Sequence, residues 1–330
     1  MHSRITTSAA LIAGTAATAL LLSGCSTAAP ADEPTGVSIV ASTNVYGSIA
    51  ESIGGELVSV TSLISTAAQD PHSYEASAQD QLALSKADLV IENGGGYDPF
   101  IDTLLDASGT DVPVVIASEA SGLLEGDHDD DQTDDPSTGS GTGEGSGTED
   151  AEHDHIEGFN EHVWYSFHGV GHVAEAITAQ LSEIDAANAA TYLANYTAFA
   201  AQLDELEASA EALHPQTEGL GAAITEPVPL YLLTEVGFTN RTPDEFSEAI
   251  EEGTDVAPAT LQQTLALFTA GSVSLLAYNS QTASSETEQV RAAAQANGVA
   301  VVEFTETMPD GADYVSWMTD NLSAISAALS

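Results

Sequence analysis

Three short stretches of this sequence carry residues able to do chemistry together. The first is Asp70-Pro71-His72-Ser73-Tyr74-Glu75, where Pro71 restricts the backbone just before an imidazole. The second is Asn160-Glu161-His162-Val163-Trp164-Tyr165, and the third is Thr225-Glu226-Pro227. Neutral imidazole and carboxylate are the ligand types that suit zinc, and also manganese or iron. Two His and one Glu with an open position are equally the ligand set of a catalytic zinc. Against hydrolysis, the HExxH arrangement is missing, and the three stretches lie far apart along the chain. No GxxxxGK[ST] sequence is present, so the chain is not a transport ATPase.

These stretches fall at the ends of regular elements. Val37–Ser42, Leu57–Leu63, Asp88–Glu92 and Pro113–Ala117 read as strands. Tyr46–Ile53, Gln79–Ala87 and Pro99–Leu105 read as helices between them. Alternation of this kind predicts parallel βαβ units, and ligands in open α/β sheets bind beyond the carboxyl ends of strands. A second alternating region follows, with strands at Ala222–Thr225, Val273–Tyr278 and Val299–Phe304. Its helices are Leu261–Phe268, Glu286–Gln295 and Tyr314–Leu329. Between the two regions, Val173, Ile177, Leu181 and Ile184 share one helical face. Apolar positions from Tyr192 to Leu213 then predict a long helix, capped by Asp185 and ending at His214-Pro215. At 1.5 Å per residue it would be about 40 Å long.

The chain has 330 residues, 51 acidic residues, four Lys or Arg and a formal charge of −47. That balance excludes nucleic acid, because nothing neutralises phosphates. It also excludes adsorption to an anionic membrane surface. Residues 126–157 contain twelve acids, three His and no Lys or Arg, with five Gly between 139 and 147. This composition predicts a long mobile loop, in which His128, His153 and His155 are weak collectors of metal. His168 and His172 read as surface or capping residues of the following helix.

The one cysteine, Cys25, follows Arg4, an apolar run over 9–22 and Leu22-Ser23-Gly24. The run is too short to span a bilayer. The pattern predicts an exported protein with a leader at 1–24, and it resembles a bacterial lipobox, in which the cysteine carries lipid. Residues 25–36 then read as a flexible tether.

Several motifs together resemble the zinc/manganese solute-binding proteins of ABC importers. They are Ser42-Thr43-Asn44-Val45-Tyr46-Gly47-Ser48-Ile49-Ala50, Gly54-Gly55, Asp70–Glu75, Lys86–Val90, Asn93-Gly94-Gly95-Gly96-Tyr97-Asp98 and Glu161–Tyr165. The resemblance covers nearly all of residues 37–330. It implies a first lobe at 37–184, a rigid linker helix at 185–213 and a second lobe at 214–330. Each lobe would hold a mostly parallel sheet flanked by helices, with the metal between the lobes. His72 and His162 match the first-lobe ligands and Glu226 the third ligand. The fourth is commonly an Asp near the end of a second-lobe strand, but Tyr278–Thr282 offers no carboxylate. Gln281, Asn279 or Asp70 is then the expected substitute. The resemblance further implies Zn2+ or Mn2+ as transported ligand, and an importer permease with its ATPase as partners. A monomer held by its N-terminal lipid on the outer face of the cytoplasmic membrane is expected, and a metal-dependent adhesin is the alternative.

Overall fold

The computed structural model describes residues 36–66, 69, 71–125, 156 and 158–330. The leader, Cys25, most of the tether, Asp70 and the three histidines of the acidic stretch lie outside them. The first half runs β1 (Val37–Thr43), α1 (Asn44–Gly54), β2 (Val58–Ile64), α2 (Ala78–Leu84), β3 (Leu89–Glu92), α3 (Phe100–Ser108), β4 (Val114–Ile116) and α4 (Ala117–Ala120). Two long helices follow, α5 (Phe167–Ile184) and α6 (Ala189–Thr217). The second half is β5 (Gly221–Ile224), α7 (Leu230–Glu235), β6 (Thr239–Asn240), α8 (Asp244–Glu251) and α9 (Pro258–Thr269). It continues with β7 (Leu275–Asn279), α10 (Ser285–Ala296), β8 (Ala300–Phe304) and α11 (Tyr314–Ala328).

All the pairings are parallel, and both sheets have the same order, β2-β1-β3-β4 and β6-β5-β7-β8. Central strands β1, β3, β5 and β7 are almost wholly buried, as expected of strands covered by helices on both faces. In such an order the chain leaves the first strand in opposite directions, which opens a crevice at the carboxyl ends. The two sheets share one continuous apolar core, with Ile39, Ile91 and Trp164 from the first half and Ile224, Leu275 and Trp317 from the second. Asn44 in α1 bonds Met308 in both directions, giving to its carbonyl at 2.9 Å and accepting from its amide at 3.0 Å. The Tyr314 hydroxyl donates to the Trp164 carbonyl at 2.7 Å. The described residues accordingly form one compact unit.

Helix α6 packs against α1 and α5 on one side of the molecule and α7 and α11 on the other. Its 29 residues amount to about 44 Å. It starts and ends four residues later than the periodicity predicts. Asp185 is not its cap: its backbone amide closes α5 by donating to the Leu181 carbonyl, and its carboxylate accepts from the Asn188 side chain at 2.6 Å and the Tyr192 hydroxyl at 3.0 Å. Pro215 does not end it either, because Leu213 and Thr217 are buried one turn apart and hold the last turn in place. The Thr217 hydroxyl bonds the Val236 carbonyl, fastening that turn to α7. Among the described residues, no helix is long and apolar enough to cross a membrane.

Candidate metal centre

His72 follows β2, and His162 lies in the turn before the 3₁₀ segment Val163–Tyr165. Both are brought to the carboxyl edge of the first sheet by the loop after β3. There Gly94, Gly95 and Gly96 have φ of 69°, 69° and 97°, a left-handed conformation that only glycine adopts without strain. A Cβ on Gly94 would meet the Ile116 side chain at 2.5 Å. The Asp98 carboxylate clasps the turn, accepting from the Asn93 and Gly94 amides at 2.7 and 2.8 Å. Turned in this way, Tyr97 sets its ring edge-on to His72 (centroids 5.0 Å) and to His162 (5.7 Å). Contacts of this kind are worth about 0.5–1.5 kcal/mol each beyond burial. Its hydroxyl reaches Glu306 at 3.4 Å.

His162 is 1% exposed, and its Nδ1 stands 2.7 Å from the Asn160 side-chain oxygen. That oxygen accepts only, so Nδ1 carries the proton and Nε2 keeps its lone pair for a metal. Asn160 also donates to the Pro227 carbonyl at 3.1 Å and accepts at its own carbonyl from Tyr231 at 2.8 Å. The ring of His162 is therefore oriented by the segment that follows Glu226. Replacing Asn160 with Ala should cost about 10–100-fold in metal affinity, as loss of a histidine's outer hydrogen bond typically does. A competition titration would check this, and affinity unchanged within threefold would contradict it.

From the second sheet come Glu226, two residues after β5, and Glu306, two residues after β8; both are buried. Asn279 ends β7 between them. Its amide nitrogen donates to Glu306 Oε1 at 2.8 Å and also to Glu226 Oε2. Asn279 Oδ1 accepts from the Gln281 amide at 3.0 Å. Gln281 in turn accepts from the amides of Glu306 and Thr307 at 2.7 and 3.3 Å. Asn279 and Gln281, the expected substitutes for a fourth ligand, are thus engaged in shaping the turns that carry two carboxylates.

Glu251, the last residue of α8, completes the cluster. One nitrogen each of His72 and His162 and one Glu251 oxygen lie within 4.8 Å of one another. The Glu251 carboxylate is 3.7 Å from His162 Nδ1, and Glu161 is 4.0 Å from His72 Nε2. Glu226 is outside that group of three, on the side bounded by Asn279. Two carboxylates beyond the motifs read from the sequence, Glu251 and Glu306, thus lie in this region. Both were readable in principle. Phe246 and Ile250 give α8 an apolar face behind the helix-start signal Pro243-Asp244-Glu245. Glu306 meets the same strand-end rule that singles out Glu226.

Burial, then the charges of Glu161, Glu226 and Glu306, push Glu251 up to about 10. Burial likewise raises Glu92 to about 8, Glu235 to about 7 and Asp98 to about 6. Each binds its proton more tightly folded than unfolded, where the ordinary values are 4.5 for Glu and 3.8 for Asp. Their contribution is fully present below those ordinary values and is lost as pH rises through the folded ones. The metal-stripped protein should therefore resist urea better at pH 5 than at pH 8. A denaturation midpoint that falls on acidification would contradict this.

Imidazoles and carboxylates gathered where the carboxyl ends of two parallel sheets meet, with one long helix packed along both halves, define a metal-binding solute-binding protein. Over residues 39–328 the chain matches the family described as zinc-uptake complex component A, periplasmic (ZnuA), and it belongs to that family. The family is one of metal-binding transport proteins. A curated relative, the manganese-binding lipoprotein MntA of Halalkalibacterium halodurans, is 28% identical over 200 residues. That match covers 60% of this chain and only 56% of the relative. The periplasmic zinc-binding protein TroA of Treponema pallidum superposes with a TM-score of 0.66 at 21% identity, over 89% of this chain and 99% of that one. FpvC of Pseudomonas aeruginosa, solved with Ni2+, gives 0.66 at 23% identity, over 89% and 97%.

Proposed function

We propose that this protein captures one divalent transition metal ion, zinc ahead of manganese, outside the cytoplasmic membrane and hands it to an ABC permease. The observation that carries the reading is the pair of imidazoles, one nearly and one wholly buried, clustered with Glu251, beside which lie the buried carboxylates Glu226 and Glu306. His72 and His162 bind through neutral nitrogens. Glu226 and Glu306 supply negative charge to the cation, with the buried Glu161 carboxylate 4.0 Å from His72 Nε2. Glu251 lies beside both imidazoles, and before metal arrives burial and the neighbouring carboxylates favour its protonated form.

Capture fits this arrangement better than catalysis. Hydrolytic zinc needs an open position for water, and here protein groups from both sheets close around the centre. Two imidazoles favour zinc by ligand softness, whereas the carboxylates also accommodate manganese. The relatives named above as binding zinc or manganese support the same pair of substrates. Lipid on Cys25 would anchor a monomeric chain to the membrane's outer face beside its permease and ATPase. Competition titration of zinc against manganese on the metal-stripped protein tests the reading. One tight equivalent with zinc ahead is expected. Manganese ahead would reverse the substrate, and no tight equivalent would overturn capture.

A further inference from the structure

His168 and His172 take no part in the buried centre. They sit four residues apart on α5 and both are exposed. Residues at this spacing lie one above the other on a helix face. Their Nε2 atoms are 3.2 Å apart, with the rings edge to face at 87° and their centroids 4.7 Å apart. Two imidazole nitrogens bound to one ion at about 2.0–2.1 Å, with an angle between square and tetrahedral, stand about 2.9–3.4 Å apart. The other nitrogen of His172, Nδ1, faces Glu175 Oε2 at 4.0 Å. A carboxylate on the far side of a ligating imidazole fixes its tautomer and raises its basicity.

We propose that His168 and His172 form a second metal site, a surface chelate for a borderline divalent cation such as Cu2+, Ni2+ or Zn2+, completed by water. The helix backbone already sets the spacing, so binding freezes only side-chain torsions. An excess of acids, 51 against four basic residues, concentrates cations around the whole chain. His168 is in the first turn of α5, where the helix dipole disfavours a cation by about 0.3–1 kcal/mol. The site is accordingly weak and quick to release, as a loading station requires and a storage site does not. Nitrogen ligands alone give manganese little hold.

Carbethoxylation by diethyl pyrocarbonate, mapped residue by residue by peptide mass spectrometry, tests this on the full chain. Zinc added beyond the first equivalent should slow modification of His168 and His172 together. Copper should do so at lower concentrations, and manganese should have no effect. His172→Gln should remove the protection of His168, and Glu175→Gln should raise the zinc needed only slightly, since that carboxylate stands 4.0 Å away and exposed. A hydrogen-bonded pair that binds no metal would react at the same rate with and without zinc or copper, which would overturn the proposal. Protection of His168 that survives His172→Gln would overturn it as well. Neither outcome depends on whether the buried centre holds metal.

Discussion

Replacing His72 or His162 with Ala should abolish tight metal binding while leaving the fold in place. A structural zinc site is worth about 10–16 kcal/mol in all. Shared among four ligands this is about 3 kcal/mol for each, or roughly 100-fold in affinity. The loss at His162 should be the larger. His162 is 1% exposed and tied through Asn160 to the segment after Glu226, so an alanine there also frees Asn160 from its partner. His72 is held on one side by the Tyr97 ring and has Glu161 at 4.0 Å. Thermal unfolding with and without zinc separates binding from folding. Each variant should still unfold cooperatively when stripped and should lose the rise that zinc produces over its own stripped form. A variant that binds zinc as the wild type does would remove its histidine from the centre.

The carboxylates should divide into two kinds. Glu226→Gln and Glu306→Gln each delete a charge that the cation needs, and each should weaken binding by about 100-fold on the same reckoning. Glu251→Gln should have a much smaller effect. In the metal-free protein burial and three neighbouring carboxylates push Glu251 up to about 10. Gln reproduces the neutral, hydrogen-bonding form. Equal losses in all three variants would show that Glu251 gives up its proton to the metal and serves as a ligand. Binding through neutral imidazoles also predicts affinity falling as pH drops through about 6.5, the ordinary histidine value. Over the same range the stripped protein gains stability, while the increment due to metal shrinks as its affinity falls.

The alternation of strands and helices made both parallel sheets legible, since periodicity and turn residues mark each element locally. Four short elements, α4, α7, β6 and α8, escaped. Strand β6 has two residues, and α8 has eight with only two large apolar side chains, so little periodic signal separates them from loops. The histidines stood out because Pro71-His72 and Glu161-His162 belong to motifs with little other use. Glu251 and Glu306 did not, because a Glu in an acidic chain carries no signal by type. What selects them is the meeting of β5, β7 and β8 ends with the first sheet, a long-range fact. Tyr97 shows the same limit. Gly94-Gly95-Gly96 reads as a turn after a strand, but only the packed loop reveals that the turn lays an aromatic ring against both imidazoles.

The central claim is that a metal ion sits among His72, His162 and the carboxylates of the second sheet. Anomalous diffraction from zinc-loaded crystals, recorded on both sides of the zinc absorption edge, tests it directly. A strong peak is expected about 2.0–2.1 Å from His162 Nε2 and from a nitrogen of His72, with Glu226 and Glu306 oxygens completing the shell. A sole strong peak elsewhere, or a shell without both histidines, would contradict it.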